Sequence, residues 1–365
     1  MSDFGNSAIR NPQFAMTMIQ RLLRGRALYL ILGVLAVFLY SRGVSCRPAT
    51  LHEGVPSEQA GVALQWLPST LDPATIARIA KQQPRLALAL SVVSLLMIGL
   101  GLGGVLLTIG AAWSGRIRGV LRFAACQLPR WSLGEVWRVV GLTVIVAALL
   151  PFVRLLAVAY QWEWGSDLHA WMTVSMLVLD GFVILAVLAF AQGNGRSVGQ
   201  MLGFSARRLW ASMTVAFRGY VGVFPWMFLL LYLIAEGLRS IGFKPPMEPI
   251  QELLFQEHRP GMLGLTMLLA CVVGPAAEEL FFRGMVYAAI RQRRSRLAAM
   301  LASSALFSLI HTNVVGFLPI MALGCLLANL YERTGSLVSP LVIHILHNTL
   351  LMSLALIFRE FLALS

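Results

Sequence analysis

Long apolar runs decide what this chain can become. A membrane-crossing helix needs about 17–25 mostly apolar residues. Candidates fall at residues 27–41, 86–113, 139–160, 171–191, 219–235, 262–290, 297–313, 316–331 and 337–358. The expected architecture is all-α, a polytopic membrane helical bundle of about 8–9 transmembrane helices. Composition agrees: 58% of the 365 residues are hydrophobic and 12% are charged, where a soluble domain carries about 25% charged residues. An ordinary soluble globule and a disordered chain are both excluded.

The formal net charge of +13 does not signal nucleic acid. The basic residues sit in short clusters at the ends of apolar runs, where arginines snorkel toward anionic headgroups. A nucleic-acid binder gathers them on one soluble face instead. Membrane lipids are therefore the expected partners, and no nucleic acid is. With the N-terminus in the cytoplasm, 18 of the 29 basic residues lie on the inner side, while nine of the 16 acidic residues lie in the outer loops 42–85, 161–170 and 236–260. That bias favours an N-in chain. Cys46, Cys126, Cys271 and Cys325 lie far apart without a CxxC pair, which indicates neither a disulfide framework nor a zinc knuckle.

The expected organisation is a cytoplasmic segment 1–26, N-terminal membrane helices over 27–235 with the outer loop 42–85, a second outer loop 236–261, a core at 262–358 and a tail 359–365. The first apolar run lacks a clean cleavage site in "YSRGVSC" and reads as an uncleaved anchor. In loop 42–85, Ser69, Thr70 and Asp72 ahead of Pro73 would cap a short amphipathic helix.

Ionisable groups inside a span are costly, so each is a functional candidate. They are Arg154, Asp180, Glu278, Glu279, Arg283, His311, His344 and His347, joined by Asn348. Arg154 and Asp180 have opposite charges and are expected to form a structural pair. The others lie between 278 and 348. Glu279 and Arg283 are four apart and share a helix face, whereas Glu278 projects about 100° away from that pairing. One carboxylate is thus neutralised and its neighbour is left as a candidate general base. His344 and Asn348 also share one face. Counting 13 residues back from Arg291 to Glu278, 15 from Arg296 to His311 and 13 from Gly335 to Asn348 puts all three roughly 20 Å from their helix ends. Each group alone would read as packing glue between helices; their common depth argues that they meet.

"EELFFR", "FSLIH" and "HILHN" resemble the EExxxR, FxxxH and HxxxN motifs of the CAAX protease and bacteriocin-processing (CPBP, or Abi) family of intramembrane endopeptidases. The matched residues are Glu278, Glu279 and Arg283; Phe307 and His311; and His344 and Asn348. The resemblance covers about residues 262–350 and leaves His347 without a family role. It implies hydrolysis of a peptide bond near the cytoplasmic half of the membrane by an activated water. Glu278 would be the base, His311 would help to orient and deprotonate the water, and His344 and Asn348 would donate to the oxyanion. Glu279 and Arg283 would support the helix. The substrate would be a membrane-associated protein or peptide, and the location a bacterial cytoplasmic membrane.

The family is described both as metal-dependent and as metal-free. Glu278, His311 and His344 would suit Zn²⁺ as a His₂Glu set, whereas Asn348 beside His344 suits an oxyanion hole better, so the cofactor expectation is none or Zn²⁺, leaning to none. Two other hydrolytic sites are missing from the sequence. His52-Glu53 is followed by Pro56 where HExxH needs its second histidine, and Asp180 is the sole aspartate in a span, which leaves no aspartyl dyad. The alternative to a protease is a non-catalytic polytopic protein, a scaffold, immunity factor or transporter, that uses the same polar cluster for binding.

Overall fold

The computed structural model describes residues 73–114, 128–203, 209–243, 249–311 and 313–362. The expected anchor 27–41, its flanking segment 1–26, most of loop 42–85, Cys46 and Cys126 lie outside the described residues. Within them all regular structure is helical: α1 (Pro73–Gln82), α2 (Pro84–Trp113), α3 (Leu133–Ala159), the single turn α4 (Glu163–Ser166), α5 (Leu168–Gly193), α6 (Val198–Leu202), α7 (Leu209–Ser240), α8 (Pro249–Gln256), α9 (Pro260–Arg291), α10 (Arg296–Leu309), α11 (Phe317–Thr334) and α12 (Val338–Leu362). The short helix expected after Asp72 is α1.

Local signals set many of these boundaries. Ser132 and Glu135 form a reciprocal capping box that starts α3, and Ser197 with Gln200 does the same for α6. Asp167 accepts from the Ala170 N–H to start α5. Proline occupies the first turn of α2 and α9, where its missing N–H removes no helical bond.

Six helices, α2, α3, α5, α7, α9 and α12, are long and apolar enough to cross a membrane, and the chain is an integral multi-pass membrane protein. Leu88, Leu95, Leu102 and Leu106 form an exposed stripe along α2, as a lipid-facing helix requires. The expected runs 297–313 and 316–331 emerge as α10 and α11, of 14 and 18 residues, neither of them a full-length span. Polar residues at 311–313 stop the first short of its expected length, whereas the second runs on through Glu332 and Arg333, whose charges keep it from being apolar enough for a span.

The bundle has two ends. At one, which we call the Arg291 end, the starts of α3, α10 and α12 meet the ends of α5, α9 and α11. Gln292 donates to the Trp131 carbonyl at 3.2 Å, Arg291 pairs with Glu332 at 3.0 Å, and the Leu337 N–H donates to the Leu202 carbonyl at 2.9 Å. Gly203 closes this end: its φ is +59°, and a Cβ there would lie 2.1 Å from the Gly335 carbonyl oxygen. At the opposite, Arg259 end, Arg259 pairs with Asp167 and Glu257, and Arg359 donates to the Leu254 and Glu257 carbonyls at 2.7 and 2.8 Å.

Two apolar clusters fill the interior. One joins α3 and α5 to α9, α10 and α11 through residues such as Val139, Val187, Met285, Phe307 and Tyr331. The other joins α2 and α7 to α11 and α12 through Leu100, Tyr220, Phe224, Leu327 and Ile343. The helices after residue 260 are thus held between two layers supplied by earlier helices, α3 with α5 and α2 with α7.

Candidate active site

α9 is not a uniform α-helix. Residues Leu269–Val273 and Glu279–Tyr287 are π-helical, with α-helical turns between and around them. Pro275 supplies a local reason for the first π turn, because it lacks an N–H and its ring crowds the carbonyl four residues back. The Gly274 N–H bonds to Leu269, five residues back. The Ala270 carbonyl then has no helical donor: Gly274 is committed to Leu269, and the next residue is Pro275. Asn348 on α12 satisfies it, donating from Nδ2 at 2.9 Å. Such π segments often occur at functional sites.

Just beyond, the polar residues converge. Glu279 and Arg283 are each 1% exposed and pair at 2.7 Å (Oε1 to Nη1). Arg283 also donates to the Gly324 carbonyl at 3.3 Å, and its guanidinium lies 4.3 Å from the centre of the Phe307 ring. His344, likewise buried, donates from Nδ1 to the same Glu279 oxygen at 2.9 Å. An ionised carboxylate offers only acceptors, so the proton of that bond belongs to His344 Nδ1. Its Nε2 therefore points away from Glu279 and stands 3.5 Å from Glu278 Oε2. That oxygen is buried without a hydrogen-bond partner, yet the Glu278 side chain as a whole remains 26% exposed. The carboxylate touches the protein on one side and is open on the other.

Phe307 links the FxxxH motif to this group. Its ring packs edge-on against His344 (5.6 Å between centres) and against His311 (4.8 Å). His311 Nδ1 donates to the Phe307 carbonyl at 2.8 Å, which leaves Nε2 as the unprotonated nitrogen of the neutral ring. Glu278, Glu279, Arg283 and His344 thus share direct contacts. His311 joins them through Phe307, and Asn348 joins them through the π turn beneath Glu278.

Two expectations change. Arg154 does not pair with Asp180; it donates to the Gly165 carbonyl at 3.3 Å. Depth explains this. Arg154 lies 21 residues from the start of α3 and Asp180 lies 13 from the end of α5, both measured from the Arg291 end, which separates them by roughly 12 Å along the bundle. Asp180 shares the depth of Glu278 instead and carries an electrostatic interaction with it. Asp180 lies against the backbone of α9 at Gly274, where a Cβ would sit in ordinary contact, 3.6 Å from Asp180 Oδ2. His347, without a role in the sequence reading, contacts the Tyr220 hydroxyl through Nδ1 at 3.1 Å and ties α12 to α7.

The donors present do not form a metal cage. Among the described residues no three His, Cys, Asp or Glu side chains are grouped to hold an ion. Glu278, His311 and His344 are not assembled as a three-ligand set.

Comparison with known proteins points to the same stretch of chain. Residues 260–350 match the family described as type II CAAX prenyl endopeptidase Rce1-like. "Putative membrane peptidase YdiL" of Bacillus subtilis (strain 168) is 32% identical over 85 residues, which make up 23% of this chain and 35% of that protein. The likeness to CAAX-type endopeptidases read from the three motifs is borne out over this region. No solved structure matches.

Proposed function

We propose that this protein is an intramembrane endopeptidase that hydrolyses a peptide bond with a water activated by Glu278. The observation that carries the reading is the position of His344, bound to Glu279 through Nδ1 and facing the half-open Glu278 carboxylate through Nε2. A histidine fixed through one nitrogen presents the other in a defined tautomer. In this reading Glu278 takes a proton from water as the oxygen attacks the scissile carbonyl carbon. Asn348, whose Nδ2 has a second proton beyond the one given to Ala270, and His311 contribute to holding the water and the oxyanion. The proton then passes from Glu278, by way of His344 Nε2, to the departing amine as the C–N bond breaks. Glu279, Arg283 and Phe307 hold these groups in place without touching substrate.

The charge bias of the loops supports reading the Arg291 end as the cytoplasmic one. The substrate in this reading is a membrane-associated protein or peptide. The test compares membranes from cells carrying the wild-type protein with membranes carrying Glu278→Gln. Glu278→Gln should fold and unfold like wild type while cleavage products disappear and their precursors accumulate. Identical membrane proteomes, with both proteins present at equal levels, would remove proteolysis by Glu278.

A further inference from the structure

The hairpin that carries His311 is too short for the membrane around it. α10 has 14 residues, about 21 Å of helix. α11 has 18, and Glu332 and Arg333 occupy its last turn, which leaves an apolar length close to that of α10. A hydrocarbon core is about 30 Å thick.

Both helices are anchored at the Arg291 end. α10 starts beside Arg293, Arg294 and Arg296, and Glu332 of α11 is held by Arg291 and by the Tyr287 hydroxyl at 2.6 Å. The hairpin cannot slide toward the other face without dragging these charges inward. Nor can the two helices shift past each other: a Cβ at Gly324 would lie 2.9 Å from Ser304 Cβ, and Ser308 Oγ donates to the Phe317 carbonyl. The tip at 310–316 therefore stops roughly 9 Å short of the far edge of the hydrocarbon.

Among the described residues no helix roofs the tip. Leu309, Ile310 and Val314 are 57–59% exposed, and Leu318 is exposed beside them. Yet the turn itself is polar and irregular, with His311 in it and Asn313 accepting from the Gly316 N–H at 2.7 Å. Irregular backbone at membrane depth is tolerated only inside protein or against water.

We propose that phospholipid headgroups and water of the leaflet at the Arg259 end are drawn inward over this tip, so that the bilayer is locally thinned beside His311. Leu309, Ile310, Val314 and Leu318 form the collar on which the shortened acyl chains end. A bilayer accommodates mismatch at a modest cost per Å, whereas each polar group of the turn left in hydrocarbon without a partner carries its full desolvation penalty. The thinned patch puts His311 within reach of water from the leaflet opposite the charged loops, whatever reaction the site performs.

The full chain, with its four native cysteines replaced, is labelled with a nitroxide at Val314→Cys or at Leu177→Cys and reconstituted in phosphatidylcholine vesicles. Leu177 is an exposed residue of α5 about 24 Å from the Arg291 end, the same depth as the tip. Power saturation with a water-soluble nickel chelate and with oxygen reads the surroundings of each label. The expected result is a nickel-to-oxygen accessibility ratio several-fold higher at 314 than at 177, retained in longer-chain lipid. Equal, oxygen-dominated accessibility at both positions would overturn the proposal. Leu318→Cys carries the same readout should Val314→Cys fail to assemble.

Discussion

His344 and Glu279 meet through a bond of 2.9 Å from Nδ1 to Oε1, on the same oxygen that holds Arg283. One buried carboxylate thereby fixes two things: the arginine that braces α9 against α11, and the face that His344 turns toward Glu278. Structure and chemistry are joined at Glu279 rather than at the residue that would act on water.

Glu279→Gln should therefore cost stability as well as activity. Removing one partner of a buried ion pair typically costs about 3–5 kcal/mol, because the other charge is left unpaired. We expect a clear fall in the unfolding midpoint of the detergent-solubilised protein. Glu278→Gln, which breaks no ion pair with Arg283, should leave that midpoint near wild type. Equal midpoints for the two variants would dissolve the division of labour.

Asn348 has two jobs that a double mutant can separate. Its bond to the Ala270 carbonyl exists because Pro275 cannot supply an N–H there. Asn348→Ala should cost about 1 kcal/mol for the lost bond to that half-buried carbonyl. Pro275→Ala restores a backbone donor, so the double variant should regain part of that loss, a coupling visible in a mutant cycle of unfolding free energies. Proteolysis should not return with it if the second Nδ2 proton serves the oxyanion, a donor whose loss typically costs 10²–10³-fold in rate.

Much of this site was legible before any coordinates. Equal residue counts from the helix ends placed Glu278, His311 and Asn348 at one level, and i,i+4 spacing gave the Glu279–Arg283 pair. The same count, applied to Arg154 and Asp180, would have shown them at different depths and moved Asp180 to the level of Glu278; opposite charge alone misled. The π turns were hidden because apolar periodicity over so few residues does not distinguish a hydrogen-bond step of four residues from one of five. Only Gly274-Pro275 hinted at a broken register. His344 as the bridge between both glutamates was hidden for another reason: sequence spacing fixes a face within one helix, not the rotation of that helix against its neighbours.

Tyr220→Phe tests whether His347 is glue. The hydroxyl and the His347 ring are buried together, and losing one such bond typically costs about 1 kcal/mol. Stability should drop by that order while cleavage per folded molecule stays unchanged. A large loss of activity at wild-type stability would instead draw His347 into the chemistry.

At the Arg259 end, acid should loosen what neutral pH holds. The Arg259 guanidinium beside them keeps both Asp167 and Glu257 ionised down to about 2, where free carboxyls titrate near about 4. A carboxylate whose acidity is strengthened by folding contributes stability that is complete above the unfolded value and fades as pH falls through the folded one. The clasp joining α5, α8, α9 and α12 should therefore be intact above about pH 5 and lost progressively between about pH 4 and pH 2. Opening of residues 253–263, read as amide exchange relative to its intrinsic rate at each pH, should accelerate over that window in the wild-type protein. In Glu257→Gln it should already be fast at neutral pH, with a shallower acid dependence, because half of the clasp no longer titrates. Exchange that is insensitive to both acid and the substitution would show that the α8–α9 corner is held by its apolar contacts, Leu253 and Leu254 among them, rather than by charge.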